Sequence, residues 1–324
     1  MRGHLDHDRH RDGARVENGT LRGDETERED GMTGPLPGSP EHRRLVTASK
    51  AAAILGLSPW QSPYSLWCEM KGWTEPDESN MQQRRGHYLE PAILAWWRDQ
   101  HEGQIDTWIE QQWYPHEDWA GCTIDAGCSL NLPDREYQVL VEAKSASGMD
   151  EWGAPGTDEI PAYYLAQVYF QLAITGDERC YVPVIGPYLE FSEYVVEADQ
   201  EAQQATLAAC RRFYDSLSQD EPPTLDAHPA TYATVRKLHP DIEDATIDLD
   251  RDIAHEYVAA SLDLKAATER ERAAKTVVLD AMGTAKSATS AGTKIARRQA
   301  SKHGISLVRT AKTTDNLAPM EDAS

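Results

Sequence analysis

An acid and a lysine two residues apart interrupt an apolar stretch of the sequence, QVLVEAKSAS at residues 138–147. In an extended chain Glu142 and Lys144 share one face with Leu140, whereas Val139 and Val141 point to the other. β-branched residues pack better than charged ones in a strand. The pattern therefore predicts a strand with one packed face and one face that carries charges.

A second carboxylate that could act with this pair is Asp125, seventeen residues upstream in GCTIDAG. That spacing suits neighbouring strands joined by a loop. If the strands pair, Asp125, Glu142 and the backbone carbonyl of Ala143 provide the hard oxygen ligands that Mg²⁺ or Mn²⁺ prefers. Such an ion polarises a phosphate and generates hydroxide, and Lys144 would orient the water or stabilise developing charge. The chemistry predicted is metal-assisted phosphodiester hydrolysis.

The acid-x-lysine spacing alone is weak evidence, because a chain of this length contains it by chance. Glu69 with Lys71 and Asp263 with Lys265 repeat it inside predicted helices, where residues two apart lie on different faces. For an isolated pair on a strand, a salt bridge on a solvated face is the competing interpretation. Additional residues are needed to favour a catalytic site.

Two short helices are predicted ahead of these strands. LVTASKAAAILG has Thr47 or Ser49 as its N-cap and Gly56 as its stop. SPYSLWCEMKG has Ser62 as its cap, a proline at its first position and Gly72 past its end.

The segment RRGHYLEPAILAWWRDQ has apolar residues at helical spacing, and its Pro91 is tolerated only near a first turn or at a kink. We therefore expect Glu90 at or near a helix start. Strand-like pieces follow in QIDTWIEQQWY, GCTIDAGCSL and QVLVEAKSAS, then a helix in IPAYYLAQVYFQLAITG, strands in YVPVIG and LEFSEYVVEA, and a helix in DQEAQQATLAACRRFYDSL. Helices around a mixed sheet predict an α/β core.

A smaller C-terminal extension is predicted after residue 222, with a helix over about 252–282 and a hairpin from TKIARRQ to ISLVRT. Residues 283–312 contain no acidic residue and seven basic ones: Lys286, Lys294, Arg297, Arg298, Lys302, Arg309 and Lys312. On a hairpin such side chains contact DNA phosphates in a salt-dependent way, and Arg297 and Arg298 are the contacts we predict. A solubilising tail or a subunit contact is the alternative.

Composition restricts the classes of protein that fit. The net charge of −22 over 324 residues argues against indiscriminate binding to nucleic acid or anionic membranes, so any DNA-binding surface must be local. The sequence has no apolar run of bilayer length and no signal-peptide pattern, which predicts a cytoplasmic location. The five cysteines lack C-x-x-C spacing, which argues against disulfide, zinc or iron-sulfur sites. Most of the nine tryptophans should be core.

Four segments are predicted along the chain. Residues 1–40 are polar and Gly-rich and should form a disordered leader. Residues 41–222 should form the catalytic core, 223–312 the C-terminal helical extension with its basic hairpin, and 313–324 a flexible tail.

Five short motifs occur in an order that resembles the lambda-exonuclease and YqaJ-type viral recombinase family of PD-(D/E)xK nucleases. They are VTASKAAAILG, GHYLE, CTID, VEAKS and YYLAQVYFQLAITG, and the resemblance extends from about Arg43 to Gly176. Ile124 stands where the family usually has a proline. The resemblance implies a restriction-endonuclease-like core, that is, a central mixed sheet flanked by helices. The long helix and β-hairpin predicted after this core are compatible with longer YqaJ-type members.

The resemblance assigns roles at the matching positions. Asp125 and Glu142 match the metal-binding carboxylates, and Ala143 would supply a backbone oxygen. Lys144 matches the active-site lysine. Glu90 matches the helical glutamate that completes the metal site.

Other matches concern the reacting phosphate and the DNA end. Tyr164 and Gln167 match a helical pair near the reacting phosphate. The 5′-phosphate pocket is matched by Ser49 with Arg43 or Arg44.

Each of these residues has an ordinary structural interpretation as well. Glu90 before a proline is typical of a solvated capping residue. Tyr164, Gln167 and Gln171 have the spacing of a polar stripe on an amphipathic helix. Ser49 is a possible helix cap, although helix N-termini also bind phosphate. The joint order of the motifs favours the nuclease site.

The function implied is a Mg²⁺-dependent deoxyribonuclease of phage-recombination type, a 5′-to-3′ exonuclease on double-stranded DNA that leaves 3′ single strands. We expect two Mg²⁺ ions, replaceable by Mn²⁺. The partners implied are DNA ends, a single-strand annealing protein and further copies in a homo-oligomeric ring, inside a bacterial host if the gene is phage-derived. A Cas4-like or repair endonuclease is an alternative, although it commonly needs an iron-sulfur cysteine cluster. A non-catalytic DNA-binding or interaction protein is the alternative of another class.

Overall fold

The computed structural model describes residues 34–36, 38–76, 80–302 and 304–310. They divide into two compact units, with the division between Ile242 and Glu243. Most of the predicted leader and all of the predicted tail lie outside the described residues, as does Lys312 of the basic segment.

The first unit opens with short elements: α1 (Pro40–Arg44), β1 (Val46–Thr47), α2 (Ala48–Ile54) and α3 (Pro63–Met70). Helix α1 begins at the last residue of the predicted leader. The two helices predicted next are confirmed, with Thr47 at the N-cap of α2 and Ser62 at that of α3. Ser62 forms a reciprocal capping box with Ser65, which satisfies backbone donors at the start of α3. Gly72 follows α3 with a φ of 72°, a conformation that favours glycine.

Helix α4 (Met81–Gln100) corrects one prediction. It begins at the Asn80 cap, whose side chain accepts from the backbone of Gln82 and Gln83. Pro91 lies inside the helix, so Glu90 is in its middle and not at its start. The strong N-terminal cap and the packing of the second half outweigh the backbone hydrogen bond that Pro91 cannot donate.

Within the described residues, nine strands form two sheets in this unit. After β1 they are β2 (Ile105–Glu110), β3 (Trp113–His116), β4 (Ala120–Thr123), β5 (Ala126–Asn131), β6 (Glu136–Val141), β7 (Lys144–Ser145), β8 (Arg179–Ile185) and β9 (Phe191–Glu197). The small sheet has the order β1-β4-β3. The central sheet has the order β2-β5-β6-β8-β7, with β9 paired to β8. Strand β8 is parallel to β6 and β7, and the other pairs of the central sheet are antiparallel.

Helices cover both faces of the central sheet. The remaining helices of the unit are α5 (Ala162–Thr175), α6 (Gln200–Ser216) and α7 (Pro229–Leu238). On one face Leu140 packs in a cluster with Val168 and Phe170 of α5. On the other, Val139 packs with Trp97 of α4. The predicted α/β class, a mixed sheet flanked by helices, is confirmed.

Helix α7 lies beyond the predicted end of the core at residue 222, yet it packs within the first unit. Val235 and Leu238 contact the cluster that contains Tyr64 and Phe213. The Thr231 hydroxyl also donates to Ser62 Oγ at 2.6 Å. The functional domain boundaries remain predictions.

The second unit contains α8 (Arg251–Met282) and a sheet of β10 (Ser287–Ser290), β11 (Thr293–Ser301) and β12 (Gly304–Arg309). The predicted long helix and the predicted hairpin, formed by β11 and β12, are both present. Strand β10, which pairs antiparallel with β11, was not predicted. No helix in the described part of the chain has the length and apolarity needed to cross a membrane.

The five cysteines are buried and free. Burial raises the pKa of the Cys122, Cys128 and Cys210 thiols to about 12. These three are therefore neutral thiols at physiological pH. Of the tryptophans, Trp67, Trp97 and Trp119 are fully or almost fully buried.

Candidate active site

Asp125 and Glu142 meet at one end of the β5–β6 hairpin. Ala126 pairs with Val141, so Asp125 immediately precedes one strand and Glu142 immediately follows the other. The Asp125 Oδ2 atom accepts a hydrogen bond from the Ala143 backbone N–H at 2.9 Å. The predicted convergence of the two carboxylates therefore occurs.

The chain leaves regular strand geometry at both carboxylates, which the sequence did not predict. GCTIDAGCSL is not one strand: it crosses from β4 in the small sheet to β5 in the central sheet. Ile124, almost completely buried, anchors this crossing through its N–H to Gln112 O at 3.0 Å. Glu142 lies between β6 and β7 and donates its backbone N–H to Tyr181 O at 2.9 Å.

Three side chains donate to the Glu142 carboxylate, which belongs to a residue only 3% exposed. Lys144 Nζ donates to Oε1. Gln167 Nε2 donates to Oε1 at 2.5 Å, and Gln171 Nε2 donates to Oε2 at 2.7 Å. A buried carboxylate requires such partners, and together they hold this one in a single orientation.

Helix α5 presents one polar face to this carboxylate. The Lys144 ammonium lies 5.0 Å from the centre of the Tyr164 ring and 3.3 Å from Gln167 Oε1. Gln171 is only 1% exposed, so the polar stripe on α5 is not a solvated face. The salt bridge between Lys144 and Glu142 is likewise buried and not on a solvated surface.

Clustered charges perturb the ionisable groups. Burial and the nearby Glu142 raise the pKa of Asp125 well above its usual value. Burial and Glu142 also raise the pKa of Glu90. Burial opposes the charged form of Lys144, but Glu142 and Asp125 outweigh it and raise the pKa of the lysine. The three acids thus repel one another across one small volume, and Lys144 offsets part of that repulsion.

Glu90 approaches this group from α4. Its Oε1 atom accepts a hydrogen bond from Gln111 Nε2 at 2.6 Å. Gln111 also donates its backbone N–H to the Asp125 carbonyl at 3.2 Å, so one residue links Glu90 to Asp125.

The donor types suit a hard cation: the carboxylates of Asp125 and Glu142 and the Ala143 carbonyl. Burial and repulsion by Glu142 raise the pKa values of Asp125 and Glu90, and such a cation would relieve the repulsion. Among the described residues, however, no three acidic, histidine or cysteine side chains are already arranged to hold a metal ion. The chemical types of Asp125, Glu142 and Ala143 therefore suit a hard cation. In this structure the Glu142 carboxylate accepts hydrogen bonds from Lys144, Gln167 and Gln171.

The residues predicted for the 5′-phosphate lie on α1 and α2, and none is hydrogen-bonded to the acidic group in the described structure. Ser49 is exposed in the first turn of α2, and its hydroxyl is 3.2 Å from Thr47 Oγ1. Arg44 is exposed and Arg43 half-buried. Lys50 donates to the Arg43 and Leu45 carbonyls at 2.9 and 2.7 Å.

Arg297 and Arg298 belong to β11 in the second unit. Arg297 is exposed. Arg298 is half-buried and donates to the Gly283 carbonyl at the end of α8. The Arg297 side chain is therefore accessible to a DNA phosphate, whereas the Arg298 guanidinium already donates to a carbonyl of the protein.

Sequence reasoning gave no role in the site to Gln171, which it placed only in a polar stripe, or to Gln111. Gln171 binds Glu142, and its spacing of four residues from Gln167 on one helical face was the available signal. Gln111 binds Glu90 through a contact between distant segments, for which the sequence carries no signal.

The fold and site define a mixed α/β protein with a buried acid–lysine cluster at the end of its central hairpin. Residues 40–178 match the family model of the YqaJ-like viral recombinase domain, and this range includes every residue of the cluster. Over this range the chain is therefore similar to the YqaJ-like viral recombinase domain.

A curated relative is the uncharacterized protein YqaJ of Bacillus subtilis (strain 168), 25% identical over 215 residues. The match covers 64% of this chain and 65% of the relative, so this chain spans about two thirds of the relative's length.

Similar solved structures include an alkaline exonuclease, LHK-Exo, from Laribacter hongkongensis, with 20% identity and a TM-score of 0.41 over 54% of this chain and 89% of that one. A phage related exonuclease from Haemophilus somnus 129PT has 13% identity and a TM-score of 0.40, covering 54% of this chain and 96% of that one. A putative exonuclease from Eubacterium rectale has 12% identity and a TM-score of 0.41, covering 67% and 97%.

Proposed function

We propose that the chain is a Mg²⁺-dependent DNA nuclease. The observation that carries the proposal is the convergence of Asp125, Glu142 and Lys144 at the end of one hairpin, within the range that is similar to the YqaJ-like domain. Glu90 adds a third carboxylate from α4. This is the residue set that metal-assisted phosphodiester hydrolysis requires.

Asp125, Glu142 and the Ala143 carbonyl would hold the cation, which supplies Lewis acidity and an acidified water when bound. Gln167 and Gln171 fix the Glu142 carboxylate by hydrogen bonds at 2.5 and 2.7 Å. The Lys144 ammonium, which donates to Glu142, would stabilise negative charge that develops on the phosphate.

Tyr164 would orient the substrate. Its ring packs 5.0 Å from the Lys144 ammonium, which restricts where that charge can lie. Burial raises the pKa of the Tyr164 hydroxyl. The hydroxyl therefore stays protonated and can donate a hydrogen bond to a phosphate oxygen.

The finer proposal is a 5′-to-3′ exonuclease that acts at double-stranded DNA ends and leaves 3′ single strands. It rests on the motif resemblance to the lambda-exonuclease and YqaJ-type family. The same resemblance supports a homo-oligomeric ring, a single-strand annealing partner and two Mg²⁺ ions that Mn²⁺ can replace.

Digestion of 5′-phosphorylated linear duplex with Mg²⁺, compared with nicked and circular DNA, tests this proposal. The Asp125→Ala and Glu142→Ala variants should each lose about 10²-fold or more in rate. The matched control is Asp263→Ala, which removes the acid of an equivalent acid-x-lysine pair on exposed α8 and should retain full activity.

Three outcomes would contradict the assignment. Unchanged digestion by Asp125→Ala would remove the proposed site. Cleavage of circular DNA as fast as linear DNA would indicate an endonuclease. Metal-free DNA binding without hydrolysis in any divalent ion would indicate a binding protein.

A further inference from the structure

Trp60 is an unusual tryptophan in this chain because it is largely exposed. Its exposed fraction is 61%, whereas Trp67 and Trp97 are fully buried. It lies in the loop between α2 and α3, within the range that is similar to the YqaJ-like domain. Its indole face is therefore available for contact with a ligand.

A row of aromatic rings connects Trp60 to the candidate active site. The Trp60 ring meets Tyr163 edge-on at 5.0 Å between centroids, and Tyr163 meets Tyr164 at 4.5 Å. Tyr164 in turn lies 5.0 Å from the Lys144 ammonium. Even at the duplex rise of about 3.4 Å per nucleotide, a strand bound at Lys144 reaches the indole within roughly four nucleotides, and an extended single strand needs fewer.

The loop holds the indole in place. Ser58 is buried, and its hydroxyl accepts from the backbone N–H groups of Trp60 and Gln61, each at 3.2 Å. The Ser58 carbonyl is 3.1 Å from His228 Nε2, which ties the loop to the start of α7. Gln61 also donates to Glu69 at 2.8 Å. Little ordering entropy therefore remains to be lost when a ligand covers Trp60.

We propose that Trp60, supported by Tyr163, is a stacking platform for an unpaired nucleobase of the DNA strand that reaches Lys144. The proposal rests on the proposed nuclease function and adds a base-binding subsite to it. Stacking suits this chain because its net charge of −22 opposes phosphate binding, whereas base–aromatic contact needs no positive charge. Glu151 lies beside the row of rings, and its carboxylate accepts a hydrogen bond from the Tyr163 hydroxyl at 3.2 Å. This hydrogen bond helps to hold the Tyr163 ring in place against Trp60.

Binding of a short labelled oligodeoxythymidine to the full-length chain in EDTA, followed by fluorescence anisotropy, tests the platform. Trp60→Ala should weaken binding about 5- to 150-fold, the range for loss of one stacked base. Trp60→Phe should restore most of it. Replacing the thymines by abasic sites should weaken the binding of wild type about as much as Trp60→Ala does. The same replacement should hardly change the affinity of the Trp60→Ala variant, because its stacking contact is already lost.

The matched control is Trp73→Ala, because Trp73 is 47% exposed but packs edge-on against Trp67 and not in the row. It should bind the probe as wild type does. Equal binding by Trp60→Ala and wild type, or no binding by wild type, would overturn the platform. If wild type also fails to digest duplex with Mg²⁺, the proposed function fails; if it digests normally, only the platform does.

Discussion

The two carboxylates of the candidate site are stabilised in different ways. Glu142 receives Lys144, Gln167 and Gln171. Asp125 receives the backbone N–H of Ala143. This difference explains why burial and Glu142 can raise the pKa of Asp125, whose negative charge is the less compensated of the two. The site therefore carries unfavourable electrostatic energy that a bound cation would reduce.

Asp125→Asn should stabilise the fold while abolishing nuclease activity. The pKa of Asp125 is raised on folding, so its contribution to stability is most favourable below 3.8 and is lost as pH rises through the folded pKa. In EDTA, we expect the variant to gain about 0.5–2 kcal/mol at neutral pH and progressively less towards acid. Denaturant unfolding across this pH range measures the gain.

The exposed Asp263→Asn variant on α8 is the control, and it should show no comparable gain. A loss of stability in Asp125→Asn at neutral pH would mean that the aspartate charge is well compensated in the folded protein. That result would contradict the unfavourable electrostatic energy proposed for the site.

At the scale of elements, local patterns predicted which residues share a face. Alternation placed Leu140 on the opposite side of β6 from Val139, and their separate core clusters confirm it. Helical spacing placed Tyr164 and Gln167 on one face of α5, where both meet Lys144. These relations depend on backbone periodicity alone, so the sequence is sufficient for them.

Other features depend on distant partners. The crossing at Ile124 occurs because β4 pairs with β1 and β3, whereas β5 pairs with β2 and β6. The apolar pattern of GCTIDAGCSL continues through the crossing and gives no signal of it. Pro91 likewise suggested a helix start, although tertiary packing carries α4 through it.

Pro91→Ala should raise stability and lower activity. Alanine restores a backbone donor inside α4 and removes the steric clash of the proline ring, which is worth about 1–3 kcal/mol. The altered path of the helix should move Glu90 relative to Glu142 and so reduce hydrolysis. Thermal unfolding and duplex digestion measure the two effects.

Gly86→Ala provides the comparison for helix stability, because its new Cβ would meet only Ser145 Oγ, at 3.8 Å. It should gain about 1 kcal/mol from helix propensity without shifting Glu90. If Pro91→Ala keeps full activity, the proline has no part in placing Glu90.

At the scale of the whole molecule, charge is unevenly distributed. The chain carries −22 overall, yet the basic residues of 283–312 have no acidic neighbours within that segment. The sequence alone reveals this uneven distribution of charge. It does not reveal which of the basic side chains are exposed and which contact other parts of the protein. Arg297 is exposed on β11, whereas Arg298 donates to the carbonyl that follows α8.

The two arginines should consequently give different phenotypes. Arg297→Ala should weaken DNA binding and reduce the slope of log K against log salt by about 0.9, as expected for one lost phosphate contact. Arg298→Ala should instead lower the stability of the second unit, because the Arg298 guanidinium donates to the Gly283 carbonyl.

Lys265→Ala, which removes one exposed positive charge from α8, is the control for net charge and should leave the slope unchanged. Salt titrations of duplex binding measure the slopes. Equal slopes for Arg297→Ala and Lys265→Ala would mean that Arg297 does not contact a phosphate.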